Sequence, residues 1–184
     1  MSSPLLLHAR PGAASITVSP VVTADLPAIF DLNARVFGPG RFARTAYRIR
    51  DGMPLISRFC RKVTLHDMSG PATIIAAIRF TDVMIGGQPG GVLLGPLAVD
   101  NGYAGLGFGK RLIADGMAQA KAVGVNLCLL VGNQPYYQRF GFVVLPPGQI
   151  ELPGPADPGR MLAAEFAPGM IGRYRGLVRG IASP

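Results

Sequence analysis

The chain has 184 residues, 49% of them hydrophobic, and a mean hydropathy of +0.34, which suits one globular domain with a sizeable core and excludes a disordered class. It carries 18 Lys and Arg against 10 Asp and Glu, giving a net charge of +8 and a pI near 10.2, a balance that favours anionic partners. No apolar run approaches the length of a transmembrane helix, and residues 1–14 lack the basic and apolar regions of a secretory signal. They read as a flexible tail before a single domain over 15–184, in a cytoplasmic setting and with no membrane partner.

Residues 15–21 predict a first strand, rich in β-branched side chains and stopped near Pro20. A helix follows with Thr23 as N-cap and Pro27 in its first turn. Leu26, Ile29, Phe30, Leu32 and Val36 form one buried stripe along it, and Gly38 ends it. Residues 41–50 predict a second, short, basic helix with Phe42, Ala46 and Ile49 on its apolar side. The stretch 41–62 gathers Arg41, Arg44, Arg48, Arg50, Arg58, Arg61 and Lys62. No RNA- or DNA-binding motif accompanies them, so a solvated basic face is the simpler reading and nucleic acid is not the expected partner.

Three strands are expected at 59–66, 72–85 and 91–99, joined by loops that suit antiparallel hairpins. Gly95-Pro96 interrupts the third. Proline cannot complete a sheet ladder, so a bulge or splay is expected there, freeing backbone groups of Leu97, Ala98 and Val99 for something other than a neighbouring strand. Cys60 and Cys128 fall in predicted strands as buried free thiols. With His8 in the tail and His66 at a strand end, no metal-ligand spacing exists and no metal is expected.

Gly105, Gly107 and Gly109 alternate with Leu106 and Phe108 where a helix over 108–123 begins. Such a loop leaves several N–H groups bare at a helix N-terminus, and Lys110 and Arg111 sit on the same turn, so an anionic, phosphate-bearing ligand is the natural occupant. The spacing is not a dinucleotide fingerprint, and Arg111 stands where a P-loop needs Ser or Thr. A glycine-rich turn that merely joins strand to helix is the plain alternative for the loop alone. The helix buries Leu112, Ile113, Gly116, Met117 and Ala120 and stops at Gly124. Residues 125–131 then form a buried strand that the crossover places parallel to the one at 91–99. Residues 145–160 read as a surface loop, and 161–166 and 174–179 as terminal strands.

Two motifs give the chain a resemblance. Residues 104–109 follow the pattern Gln/Arg-x-x-Gly-x-Gly/Ala, with both glycines in place but Ala104 where Gln or Arg is usual and Leu106 where a basic residue is common. Further on, Pro-Tyr-Tyr-Gln-Arg-Phe-Gly-Phe at 135–142 places Tyr137 four residues before Gly141-Phe142. In order and spacing these resemble the GCN5-related N-acetyltransferases (GNAT), in particular their YhbS-like bacterial branch. The resemblance implies an α/β fold with a mixed, mostly antiparallel central sheet, a splayed parallel pair and helices on both faces.

It further implies direct transfer of an acetyl group from acetyl-CoA, as co-substrate, to an amine of a small molecule or protein. Leu97, Ala98, Val99, Gly105, Leu106, Gly107, Phe108, Gly109, Lys110, Asn133 and Tyr136 are then the cofactor-binding set, with Tyr136 as a packing residue and the thioester carbonyl polarised by a freed N–H near 97–99. Asn133 either bonds the pantetheine arm or caps a short helix. Tyr137 is the general acid for the departing thiolate, since a phenol with a pKa of about 10 is protonated at neutral pH; its alternative is packing under the ligand. Asp82, Asp100 and Glu151 earn no nomination as base. The departures at 104 and 106 imply weakened CoA binding and admit a second class, an acyl-CoA-binding module without catalysis. A homodimer is admitted by the resemblance alone.

Overall fold

The computed structural model describes residues 14–40, 45–67 and 70–182, so almost all of the expected tail lies outside the described residues. Four strands, β1 (Ser15–Pro20), β2 (Arg61–His66), β3 (Thr73–Ile85) and β4 (Gln88–Val99), make an antiparallel meander. β5 (Leu127–Val131) runs parallel to β4. Outside it lie β8 (Met161–Glu165) and the short β6 (Val143–Val144), both antiparallel to their neighbours. β7 (Ile150–Glu151) and β9 (Gly176–Gly180) pair parallel, and β9 closes on the end of β3. Among the described residues the sheet is therefore mixed and nine-stranded, with β4–β5 as the parallel pair at its centre.

Helices cover both faces. Alternation along the strands decides which side chains each helix meets. On one face α3 (Phe108–Ala122) buries Leu112, Ile113 and Ala120 against Phe59, Phe80, Val92 and Leu94. On the other, α1 (Leu26–Phe37) buries Leu32 against Ala77 and Ala98, while α2 (Thr45–Arg50) sets Ile49 against Val83, Leu93 and Leu129. Gly116 brings α3 close to the sheet: a Cβ there would lie 2.3 Å from the Phe80 ring.

Several expectations need correction. Thr23 does not cap α1; the chain enters through a 3-10 turn, Thr23–Asp25, in which the Asp25 carboxylate accepts the Val22 N–H at 2.7 Å. Phe30, assigned to the buried stripe, is 49% exposed because it overhangs the sheet beside a cavity. The second hairpin turns tightly on Gly86 and Gly87 alone, whose φ of 56° and 85° match the twist of the flanking strands. Residues 145–160 are not simply a surface loop: they hold β7, and Leu145, Gln149 and Ile150 are buried, with Gln149 Nε2 donating to the Ile171 carbonyl at 2.7 Å. A single-turn helix, α5 (Met170–Arg173), separates β8 from β9.

The basic stretch is also not a uniformly solvated face. Arg61 is buried and donates to Asp115 at 2.7 Å and to two backbone carbonyls, Lys62 is paired with Asp25, and Arg50 is 7% exposed. Arg48 and Arg58 do face solvent. Arg41, Phe42 and Arg44 lie outside the described residues.

Candidate functional site

The first turn of α3 is bare. Gly107 takes the N-cap position at φ 86°, no side chain caps it, and the first N–H bonded back into the helix is that of Arg111, to the Gly107 carbonyl at 3.0 Å. The N–H groups ahead of it point outward. Gly105, at φ 79°, completes a loop in which added Cβ atoms at 105 and 107 would meet nothing within 4 Å. Open space, free donors and the helix dipole suit a diphosphate. Lys110 and Arg111 are exposed beside it, Phe108 is half-buried on the core, and Leu106 is 64% exposed, so it brings an apolar side chain to the loop.

The bulge on β4 stands where Gly95-Pro96 predicts it. Ile78 faces Leu97 but Phe80 faces Leu94, so Gly95 and Pro96, joined by a cis peptide bond, are together opposed by Arg79 alone. Pairing of β4 with β5 covers only Gly91, Val92 and Leu93, opposite Leu127, Cys128 and Leu129. The two strands splay beyond that point. Asp100 N–H bonds the Ile75 carbonyl at 2.8 Å, which sets the alternation along this edge. Ala98 accordingly bonds toward β3, whereas the N–H and C=O groups of Leu97 and Val99 turn toward the splay. Ala98 thus departs from the expectation that all three backbones are free.

A cleft of about 430 Å³ occupies the splay. Leu94, Leu97, Leu130 and Tyr137 line it from the α3 side, and Phe37, Ala46, Tyr47 and Arg50 from the α1–α2 side, so it passes through the sheet. Its far wall is Pro155, Ala156 and Asp157, pinned across the opening by Thr45 Oγ1 to the Pro155 carbonyl and Arg48 Nη1 to the Pro153 carbonyl at 3.2 Å.

The single-turn helix α4 (Gln134–Tyr137) supplies both tyrosines. Tyr136 packs over α3: its hydroxyl would lie 3.2 Å from a Cβ on Gly109, which also nears Leu97 and Val99 at 3.5 Å, so the helix terminus is closely packed on its neighbours here. The two rings meet edge to face at 4.9 Å, and Tyr137 continues onto Phe142 at 5.8 Å. Helix terminus, β4 edge and cleft therefore share one wall. The Tyr137 hydroxyl makes no hydrogen bond among the described residues. Burial, then Tyr136 and Cys128, push its pKa up to about 12 against the opposing pull of Arg160. Burial also raises Tyr136. Asn133 stands at the N-cap of α4, exposed, with no side-chain cap bond. Asp100 is a loop-capping residue, accepting Gly102 N–H at 3.1 Å and Arg35 at 3.2 Å.

The model of the acetyltransferase (GNAT) family matches residues 42–142, more than half of the chain. The chain belongs to the GNAT family. Among its relatives is YjhQ of Escherichia coli K12, named an uncharacterised N-acetyltransferase, 28% identical over 128 residues; the match spans 65% of this chain and 65% of that protein's length. The GNAT protein YhbS of Escherichia coli, solved with CoA, superposes with a TM-score of 0.69 at 23% identity over 95% of this chain and 94% of its own. A GNAT acetyltransferase of Brucella melitensis, solved with acetyl-CoA, gives a TM-score of 0.57 at 25% identity over 82% and 96%.

Within this GNAT chain, the structure brings the glycine loop, the β4 edge and the α4 tyrosines together. Sequence reasoning missed Arg50 and the Pro155–Ala156–Asp157 wall. Arg50 was visible only as one arginine among many, and the wall only as part of a Pro- and Gly-rich loop.

Proposed function

We propose that this protein transfers an acetyl group from acetyl-CoA to an amine. Acetyl-CoA, when bound, supplies the activated thioester. The observation that carries the proposal is the continuous wall from the bare α3 terminus, past the outward backbone of Leu97 and Val99, to the unpartnered Tyr137 hydroxyl in the cleft. The N–H groups of residues 107–110 hold the diphosphate, with Lys110 beside them. An outward N–H at Leu97 or Val99 donates to the carbonyl oxygen as negative charge gathers on it. The amine nitrogen forms its bond to carbon as the carbon–sulfur bond breaks, and the proton shed by nitrogen ends on sulfur. Tyr137 is protonated at neutral pH, burial holding its proton still more tightly, and its hydroxyl in the cleft would donate to that sulfur. CoA and acetyl-CoA complexes of the related folds support the choice of donor.

Calorimetric titration of the purified protein with acetyl-CoA should give saturable binding at about one ligand per chain, followed by thiol release with an amine acceptor. Tyr137→Phe should keep acetyl-CoA binding and lower kcat roughly a hundredfold. Binding of acetyl-CoA without turnover of any amine would favour a non-catalytic acyl-CoA module, for which the apolar side chains of Ala104 and the exposed Leu106 are the favouring observation. No binding at millimolar ligand would end both readings.

A further inference from the structure

Arg50 is a buried cation with no carboxylate partner among the described residues. Its side chain enters the cleft from the end of α2, and the residue is 7% exposed. Nη2 donates to the Leu94 carbonyl at 3.4 Å, the guanidinium lies 5.5 Å from the Tyr47 ring centre, and Nε has no hydrogen-bond partner. The charged group that perturbs it most is Arg79, another cation; burial first, then Arg79, pull its pKa down to about 9. Elsewhere the chain pairs Arg61 with Asp115 and Lys62 with Asp25, whereas Arg79 donates to the Met53 and Pro54 carbonyls and its Nε, like that of Arg50, has no hydrogen-bond partner among the described residues. In the cleft the carboxylate at hand, Asp157, instead accepts the Gly159 N–H at 2.9 Å and makes no ion pair with Arg50 or Arg160 among the described residues. Taking a guanidinium out of water without a partner is unfavourable, and its planar fork matches a carboxylate. The β4 bulge leaves room for that fork, since a Cβ on Gly95 would sit 3.3 Å from Nη2.

A second cavity, of about 220 Å³, adjoins this position and shares Tyr47 and Pro96 with the cleft. Its other walls include Val21, Leu26, Ile29, Phe30 and Leu55, with Asn33 and Arg79 as the polar members, so the cavity is mostly apolar and suits a largely apolar group.

We infer that the acceptor is an amine bearing both a carboxylate, which Arg50 binds, and an apolar side chain, which the adjoining cavity holds: the composition of an apolar α-amino acid. The inference rests on the acetyl-transfer reading and specifies its second substrate. The amine nitrogen of such a molecule becomes its amide nitrogen, the carbon–sulfur bond of the donor breaks, and CoA leaves as the free thiol, with the carboxylate unchanged.

The test compares molecules alike in shape and different in charge. The full chain, in the presence of CoA, is titrated with N-acetyl-L-leucine and with N-acetyl-L-leucinamide, and turnover is compared for L-leucine and L-leucinamide at equal free-amine concentrations. The acid should bind roughly tenfold or more tightly than the amide, and kcat/KM should follow the same order. Arg50→Gln should bring the acid-to-amide ratio close to one, while Arg50→Lys should retain part of it. If the buried site rejects these substitutions and the variants do not fold, the wild-type ratio still decides. Equal or weaker binding of the acid, or absence of binding by both compounds, overturns the inference while acetyl-CoA binding leaves the transfer reading standing. Failure of acetyl-CoA itself to bind overturns the transfer reading instead.

Discussion

Tyr137 is pressed from two directions at once. Burial and its neighbours raise the phenol to about 12, while an ordinary thiol titrates at about 8.5, so complete transfer of its proton to a thiolate is uphill by about three and a half pH units. Under the proposed transfer, the phenol therefore acts as a hydrogen-bond donor to the departing sulfur, and the proton released by the amine completes the exchange. The same shift has a stability signature. The folded state holds this proton more tightly than the unfolded chain, so the contribution is fully present below pH ~10 and is lost as pH rises toward ~12. Unfolding free energies from denaturant curves followed across that window should fall for the wild type by an amount on the order of 2 kcal/mol more than for Tyr137→Phe. An identical alkaline slope in both proteins would show that the phenol is not perturbed. Tyr137 itself was legible from its spacing to Gly141-Phe142, a local pattern. Arg50 was not, because burial and the lack of a counterion are properties of what surrounds a residue, and its sequence neighbours Arg48 and Arg58 do face water.

Among the elements, α3 depends on a single missing side chain. The Gly116 position leaves 2.3 Å between a would-be Cβ and the Phe80 ring, and Phe80 is fully buried among Phe59 and the β4 side chains. Gly116→Ala gains helix propensity of about 1 kcal/mol but forces the ring or the helix to move, an overpacking cost of roughly 1–3 kcal/mol. The net result should be destabilisation, read as a lowered urea midpoint, with weaker acetyl-CoA binding if the helix terminus shifts. A stabilised variant would mean that Phe80 moves aside freely. Long elements such as β3, β4 and α3 were readable because many periodic residues vote together. α5, β7 and the 3-10 entry to α1 are too short for a period to appear, and they form because neighbours bond them: β9 for β7, Asp25 for the 3-10 turn, and Glu165, which accepts the Gly169 and Ile171 N–H groups, for α5. Ala98 shows the same limit, since the spacing of Gly95-Pro96 marks the bulge but only the register with β3 tells which of Leu97, Ala98 and Val99 face away from it.

For the molecule as a whole, the splay of β4 from β5 makes the sheet a partition with a window in it. The helix terminus that suits the donor lies on one face, and Arg50 with the α1–α2 cavity lies on the other. Two substrates approaching from opposite sides do not block each other's path, and neither has to leave before the other arrives. Under the proposed transfer, initial rates measured at several fixed acceptor concentrations should give intersecting double-reciprocal lines. Parallel lines would require an acetylated protein and a different chemistry. The geometry also shapes inhibition: a molecule that joins CoA to the acceptor through one covalent bond has to be threaded through the window rather than laid along a groove. Its on-rate should then be slow, and its escape slower still.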